Sequence, residues 1–334
     1  MLLPTTVKLS SIYCRDEADG IGDAEPYLWT IFFKIDGETI KQTPNTLTLT
    51  GDAVFHFGPG SHGNLGTKSV NAGDTVQIPV GIGEFHTQLQ PNILTKGSTT
   101  ISVPGIVGAV AVLMEEDNVS DSGAEQGHQE LNNFVRNEIN NFIHGINLLD
   151  FINVQNPESK LAELIEMMKQ KIQDGAAGVV STAIQHAQGF WSNLWSGLNK
   201  DDKIGSVAWT FSQQDIVQHR YAISLNQRWR NEGDWELFGV ISAPNPCQAQ
   251  LVAVNQQKVK ISQIEAQIRT AQTQMARAPV AQKAEFRAEI AELQAQLPPL
   301  RTELTRLEGL LDRCYVRQSL VAATPVNVGV LTHA

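Results

Sequence analysis

Residues 14–33 read CRDEADGIGDAEPYLWTIFF, an acidic, glycine-punctuated turn that opens into ten residues rich in aromatic and β-branched side chains. The second half is a strand that is apolar on both faces, and Asp16, Asp19 and Asp23 sit in the loop that feeds it. Residues 110–121, VAVLMEEDNVSD, repeat the arrangement in reverse: an apolar strand runs out into Glu115, Asp117 and Asp121. Two acidic loops, each attached to a strand, supply the oxygen ligands that a hard cation such as Ca²⁺ collects, six to eight at a time and from more than one segment. Neither possible glycine register in the first loop leaves an acid at the twelfth position of an EF-hand. Asp and Gly also cluster in ordinary surface turns for conformational reasons alone.

The first segment resembles the first calcium-binding loop of C2 domains, where an acidic turn leads into an Asp-Pro-Tyr strand start. In this chain Glu25 precedes Pro26 and Tyr27, with Ala24 separating it from Asp23. The second resembles the third loop of the same domains, with Glu115 where Asp is usual. The likeness covers about a third of the chain. It implies an antiparallel β-sandwich whose rim holds calcium through Asp16, Asp19, Asp23, Glu115, Asp117 and Asp121.

The whole chain has 334 residues and a formal charge of −10. Residues 250–317 hold ten basic and seven acidic residues, net +3, which leaves −13 for the rest. That acidic body argues against nucleic acid and for a cation or a basic partner. Cys14, Cys247 and Cys314 are scattered and odd in number, which argues against a disulfide framework or a Cys-based zinc site and for a reducing compartment. MLLPTTVKLS has neither the basic start nor the apolar core of a signal peptide, so the expected location is the cytoplasm, or outside it by a route without a classical signal, with peripheral membrane attachment.

Strands are expected at 7–14, 28–35, 47–57, 75–78, 85–89 and 107–114, and a hairpin within 206–242 around the turn RNEGD at 230–234. Gly58–Gly63, GPGSHG, matches the dinucleotide fingerprint by letter, but strand and turn residues follow it. Without a helix N-terminus it cannot hold a pyrophosphate. From about 124 the apolar period becomes helical. Leu131, Val135, Ile139 and Ile143 lie on one stripe, and residues 161–172 carry another. Gly175–Asn199 contains no charged residue. It reads as an amphipathic helix whose neutral polar face opposes bulky Phe190, Trp191, Leu194 and Trp195, groups that insert between lipid headgroups. Packing against the protein's own core would use the same side chains.

The most regular pattern lies at 250–317. Val254, Ile261 and Ile268 in one run, then Ile290, Leu293, Leu297, Leu300, Leu304, Leu307, Leu311 and Cys314 in the next, follow heptad spacing. Ala278-Pro279 breaks the run, so the economical solution is an antiparallel coiled-coil hairpin. The eight His residues show no HExxH spacing, and no Ser stands in a nucleophile elbow; His62 and His86, beside glycine-rich turns, are the ones to inspect.

The sequence therefore predicts an α+β chain. A C2-like β-sandwich begins at 1–123, is interrupted by a helical insertion at 124–203 and is completed by a hairpin at 204–246; a coiled-coil hairpin at 247–317 and a tail at 318–334 follow. The expected function is non-enzymatic, calcium-assisted attachment to a phospholipid membrane. The alternative is a structural, assembly or toxin-like protein that binds other proteins, or copies of itself as a homo-oligomer, through its coiled coil and sandwich rim.

Overall fold

The computed structural model of the chain describes residues 2–17, 24–43, 48–67, 69–96, 99–116, 121–146, 203–230 and 233–323. They form antiparallel sheets with helices, and they divide into a β unit that ends at Pro244 and a helical unit over Asn245–Ala323.

In the β unit, one sheet has the order β11 (Lys203–Ser212), β10 (Ile106–Glu115), β2 (Pro26–Ile35), β5 (Val54–Phe57). Every residue of β2 and β10 is buried. Alternate side chains go to opposite sides of a strand, so burial throughout requires cover on both faces. One face carries Tyr27, Trp29, Ile31 and Phe33 with Val110, Val112 and Met114, packed against Ala124, Leu131, Val135, Ile139 and Ile143 of α2 (Asp121–Gly145). Gly108 lies opposite Phe33 in the ladder, and any Cβ there would come within 2.1 Å of the Phe33 ring. The phenyl ring thus occupies the space a side chain would take.

The other face of that sheet meets a second one, in which β12 (Ala222–Trp229), β13 (Asp234–Ser242), β1 (Leu3–Asp16) and β6 (Thr75–Gln77) are neighbours and β7 (Glu84–Leu89) also pairs with β1. Phe32 stacks on Phe85 with centroids 5.8 Å apart, and Thr30 Oγ1 donates to the Ile82 carbonyl of the one-turn helix α1 (Val80–Gly83) at 2.6 Å. Lys34, 6% exposed, donates to Gln88 O at 3.2 Å and pairs with Asp36 at 3.5 Å and with Glu38, so its buried charge is neutralised. In β1 the buried positions are odd from Leu3 to Leu9 and then even at Ile12 and Cys14. A register shift between Leu9 and Ser11 resets the phase.

The expected hairpin forms as β12 and β13, and β13 joins β1. Residues 203–212 pair instead with β10 in the other sheet. A six-residue helix, α3 (Gln213–Gln218), follows them, started by a capping box in which Ser212 Oγ accepts from Asp215 N while Ser212 N donates to the Asp215 carboxylate at 2.8 Å. The single strand expected at 47–57 is two short ones, β4 (Leu49–Thr50), paired with β3 (Lys41–Gln42), and β5, separated at Gly51 with φ +99°. The hairpin of β8 (Asn92–Lys96) and β9 (Thr99–Val103) was not expected.

In the helical unit, α4 (Gln248–Arg277) stops at Ala278, which is extended before Pro279, and after one 3₁₀ turn α5 (Lys283–Ala323) runs back antiparallel to it. Glu265 with Arg301 and Lys258 with Glu308 pair across the two helices at 3.0 Å each. Helix α5 continues through Pro298 and Pro299. The sequence argued against disulfides, but Cys247 and Cys314, 67 residues apart in sequence, form one, because reversing direction at Pro279 brings the two ends of the pair together. Among the described residues no helix is long and apolar enough to cross a membrane.

Candidate functional site: the acidic rim

The loop that follows β1 and the loop that follows β10 meet at their roots. Glu115 is the partner of Pro26 in the β2–β10 ladder, and the Glu116 N–H donates to the Glu25 carbonyl at 3.1 Å. The sequence-predicted acids divide accordingly. Asp16 is the exposed last residue of β1 and Glu115 the buried last residue of β10. Asp121 opens α2, its side chain being outside the described residues, as are Asp19, Asp23 and Asp117 entirely. The set of six is therefore not brought together within what is described, and among the described residues no cluster of three or more His, Cys, Asp or Glu could hold a metal ion. Phe190, Trp191, Leu194 and Trp195 also lie outside the described residues.

Beside Asp16 the rim is balanced by arginines that sequence reasoning passed over. Asp16 pairs with Asp234 across β1 and β13. The Asp234 carboxylate accepts from Arg228 Nε at 2.6 Å, and these hydrogen bonds hold it below the usual carboxylate range. Arg15 Nε donates to Glu236 at 3.1 Å and Asn226 Nδ2 donates to it at 2.8 Å, with the same effect on Glu236. Arg228 stands directly opposite Glu236 in the hairpin ladder, and opposite charges at facing positions were the available signal.

Behind Glu115 and Glu116 the GPGSHG loop is built into the sheet. Asn64 substitutes for a strand neighbour: its Oδ1 accepts from Leu28 N at 3.1 Å and its Nδ2 donates to Leu28 O at 2.8 Å. Trp29 Nε1 donates to Gly60 O at 2.8 Å, and Gly60 N donates to the Glu125 carboxylate at 3.2 Å. His62 Nδ1 lies 3.3 Å from Glu116 Oε1, and its ring meets Tyr27 edge-on at 4.8 Å. Tyr27 meets Trp29 at 5.9 Å, and Trp29 stacks on His128 of α2 at 5.5 Å. Four rings thus run in a row from the rim to the helix. His86 is elsewhere, exposed, with its Nδ1 3.0 Å from Thr6 Oγ1. The loop makes a turn and not a helix start, as its following residues imply. His128 was missed because a lone His within an apolar helical stripe carries no spacing signal.

No family model, no curated protein and no solved structure matches this chain.

Proposed function

We propose that the protein is a non-enzymatic binding protein whose β unit is a C2-like sandwich with a helical insertion, and that its acidic rim takes calcium to attach the molecule to an anionic phospholipid surface. The observation that carries this reading is the Glu116–Glu25 backbone hydrogen bond, which joins the described ends of the two acid-bearing loops although some ninety residues separate them in sequence. Calcium would be held by Asp16, Asp19, Asp23, Glu115, Asp117 and Asp121 of the two loops, as the oxygen ligands a hard cation requires. Phe190, Trp191, Leu194 and Trp195 would insert beside it.

The test is thermal melting of the full chain in millimolar calcium against chelator, with liposome flotation in the same two buffers. Ion at a hundredfold excess over its dissociation constant stabilises the fold by about 2.7 kcal/mol, a shift of several degrees. An unchanged midpoint together with no heat of binding removes calcium from the proposal. Replacing Trp191 and Trp195 with Ser should then weaken flotation while leaving the melting midpoint in place.

A second reading, an assembly protein that uses its coiled coil, draws on Val252 and Val259. They are 40% and 54% exposed and lie seven residues apart on the same side of α4. Concentration-dependent light scattering that persists in chelator would favour it.

A further inference from the structure

We propose that the contact between α2 and the Gly58–Gly63 loop is an acid-sensitive latch: the helix stays on the central sheet while the His128 imidazole is neutral and lets go when that ring takes a proton. The argument starts from position. His128 falls on the stripe of Ala124, Leu131, Val135 and Ile139 that faces the sheet, so it enters the interface with its apolar neighbours. It is 2% exposed, its ring lies on Trp29, and Gly60 approaches so closely that any Cβ there would come within 2.3 Å of Nδ1. Among the described residues the buried Nε2 has no hydrogen-bond partner, and one turn on the same holds for Asn132 Oδ1. A proton added at Nε2 meets no hydrogen-bond acceptor among the described residues unless the helix moves.

The titratable groups around the ring are few. Glu125 stands one turn before it on α2, its carboxylate already accepting from Gly60 N and from Gln129 at 3.2 Å each. From β2 the face toward α2 presents Tyr27, and from the loop and the end of β10 come His62 and Glu116. Glu125 and the face of the Trp29 indole both favour the imidazolium. Burial opposes them and prevails, pulling His128 from 6.5 down to about 4.

The sign follows. Above pH 6.5 the ring is neutral whether the helix is latched or free, and the latch is at full strength. As pH falls from there toward about 4, the freed ring takes a proton that the latched ring refuses, so the latch weakens about tenfold per pH unit and levels off below. Helix α2 starts at the acidic rim, and the latch does not depend on the proposed function.

Hydrogen exchange of the full chain, corrected for the intrinsic pH dependence of exchange, tests the latch. Between pH 7 and 4.5, protection of peptides from 121–145 should fall about 100-fold while α4 and α5 keep theirs, and in His128→Phe the α2 protection should stay level. Protection that stays level in the wild-type chain overturns the latch. So does a His128→Phe chain that loses protection in step with the wild type, since other groups would then be responsible. Should that variant fail to hold α2 at pH 7, nuclear magnetic resonance of the wild-type His128 ring decides: a titration below pH 5 that accompanies loss of α2 protection supports the latch, and one near 6.5 with α2 still protected overturns it. None of these readouts uses calcium or lipid.

Discussion

All residues of Pro26–Ile35 and Ile106–Glu115 are buried, whereas in the antiparallel pair α4 and α5 the buried positions among the described residues are Val254, Gln257, Ile261, Ile268, Ala271, Ile290 and Leu311. The β unit owes this to three layers: a sheet with another sheet on one face and a helix on the other. Two helices alone offer each other one stripe, and the rest of each surface remains in water. The distribution of cysteine follows the same division. Cys14, in the β unit, is a buried thiol whose pKa burial pushes up to about 12, so it is chemically quiet. The two cysteines of the helical pair form a covalent tie within the apolar cluster of Leu251, Val254, Leu304, Leu307 and Leu311.

The sharpest way to break this contrast is in the doubly covered sheet. Phe33→Ala should cost about 5 kcal/mol, the upper end for a buried aromatic, because the ring fills the space over Gly108 beneath α2 and two strands and a helix cannot all collapse into the hole. Chemical denaturation measures it, and a loss below about 2 kcal/mol would mean that the layers are looser than their burial indicates. Next comes the disulfide. Closing a loop of 67 residues removes unfolded-state entropy worth about 4 kcal/mol, so Cys247→Ser with Cys314→Ser should lower protection of residues 248–318 by roughly a thousandfold and leave β2 and β10 unchanged. Equal losses in both units would erase the distinction.

A smaller effect belongs to Gln257, buried in the helical seam, where its Nε2 donates to Leu300 O at 2.9 Å. Replacement by Ala should cost about 1 to 2 kcal/mol, and replacement by Leu much less, since an apolar group of similar size needs no partner there. If Leu is the worse of the two, the hydrogen bond matters more for register than its modest net energy implies. The smallest change runs the other way. Arg220 and Tyr221, between α3 and β12, have φ of +57° and +68°, left-handed values that cost a side-chain-bearing residue about 1 kcal/mol. Arg220→Gly should raise the melting temperature of the β unit by a few degrees, offset in part by the greater freedom of glycine in the unfolded chain.

The strands that carry continuous apolar runs, β2 and β10, were plain in the sequence, as were the hairpin at 222–242 and the break at Pro279. Each rests on a local signal: β-branched and aromatic runs, a Gly-bearing turn, and an Ala278-Pro279 step at which Ala278 leaves the helical conformation for an extended one. The helix at 213–218 was missed although Ser212-Gln-Gln-Asp215 is a capping signature, because six residues give no apolar period to accompany it. The β8–β9 hairpin was missed because its strands are five residues each and mix Thr and Lys with Ile and Leu.

At the candidate site the sequence indicated the two acidic loops and His62, but not Arg15, Arg228 or His128. Arg15 and His128 take their value from residues distant in sequence, as Glu236 faces Arg15 and Trp29 faces His128, whereas Arg228 meets Asp234 and Glu236 within one hairpin. By itself the sequence determined the local elements and the acidic character of the body, since backbone preference, apolar period and charge are properties of short stretches. Only the tertiary structure decided that Cys247 meets Cys314, that Glu116 meets Glu25 and that one histidine is closed between a helix and a sheet, because pairing across long separations depends on how the layers stack and on which buried groups find a partner there.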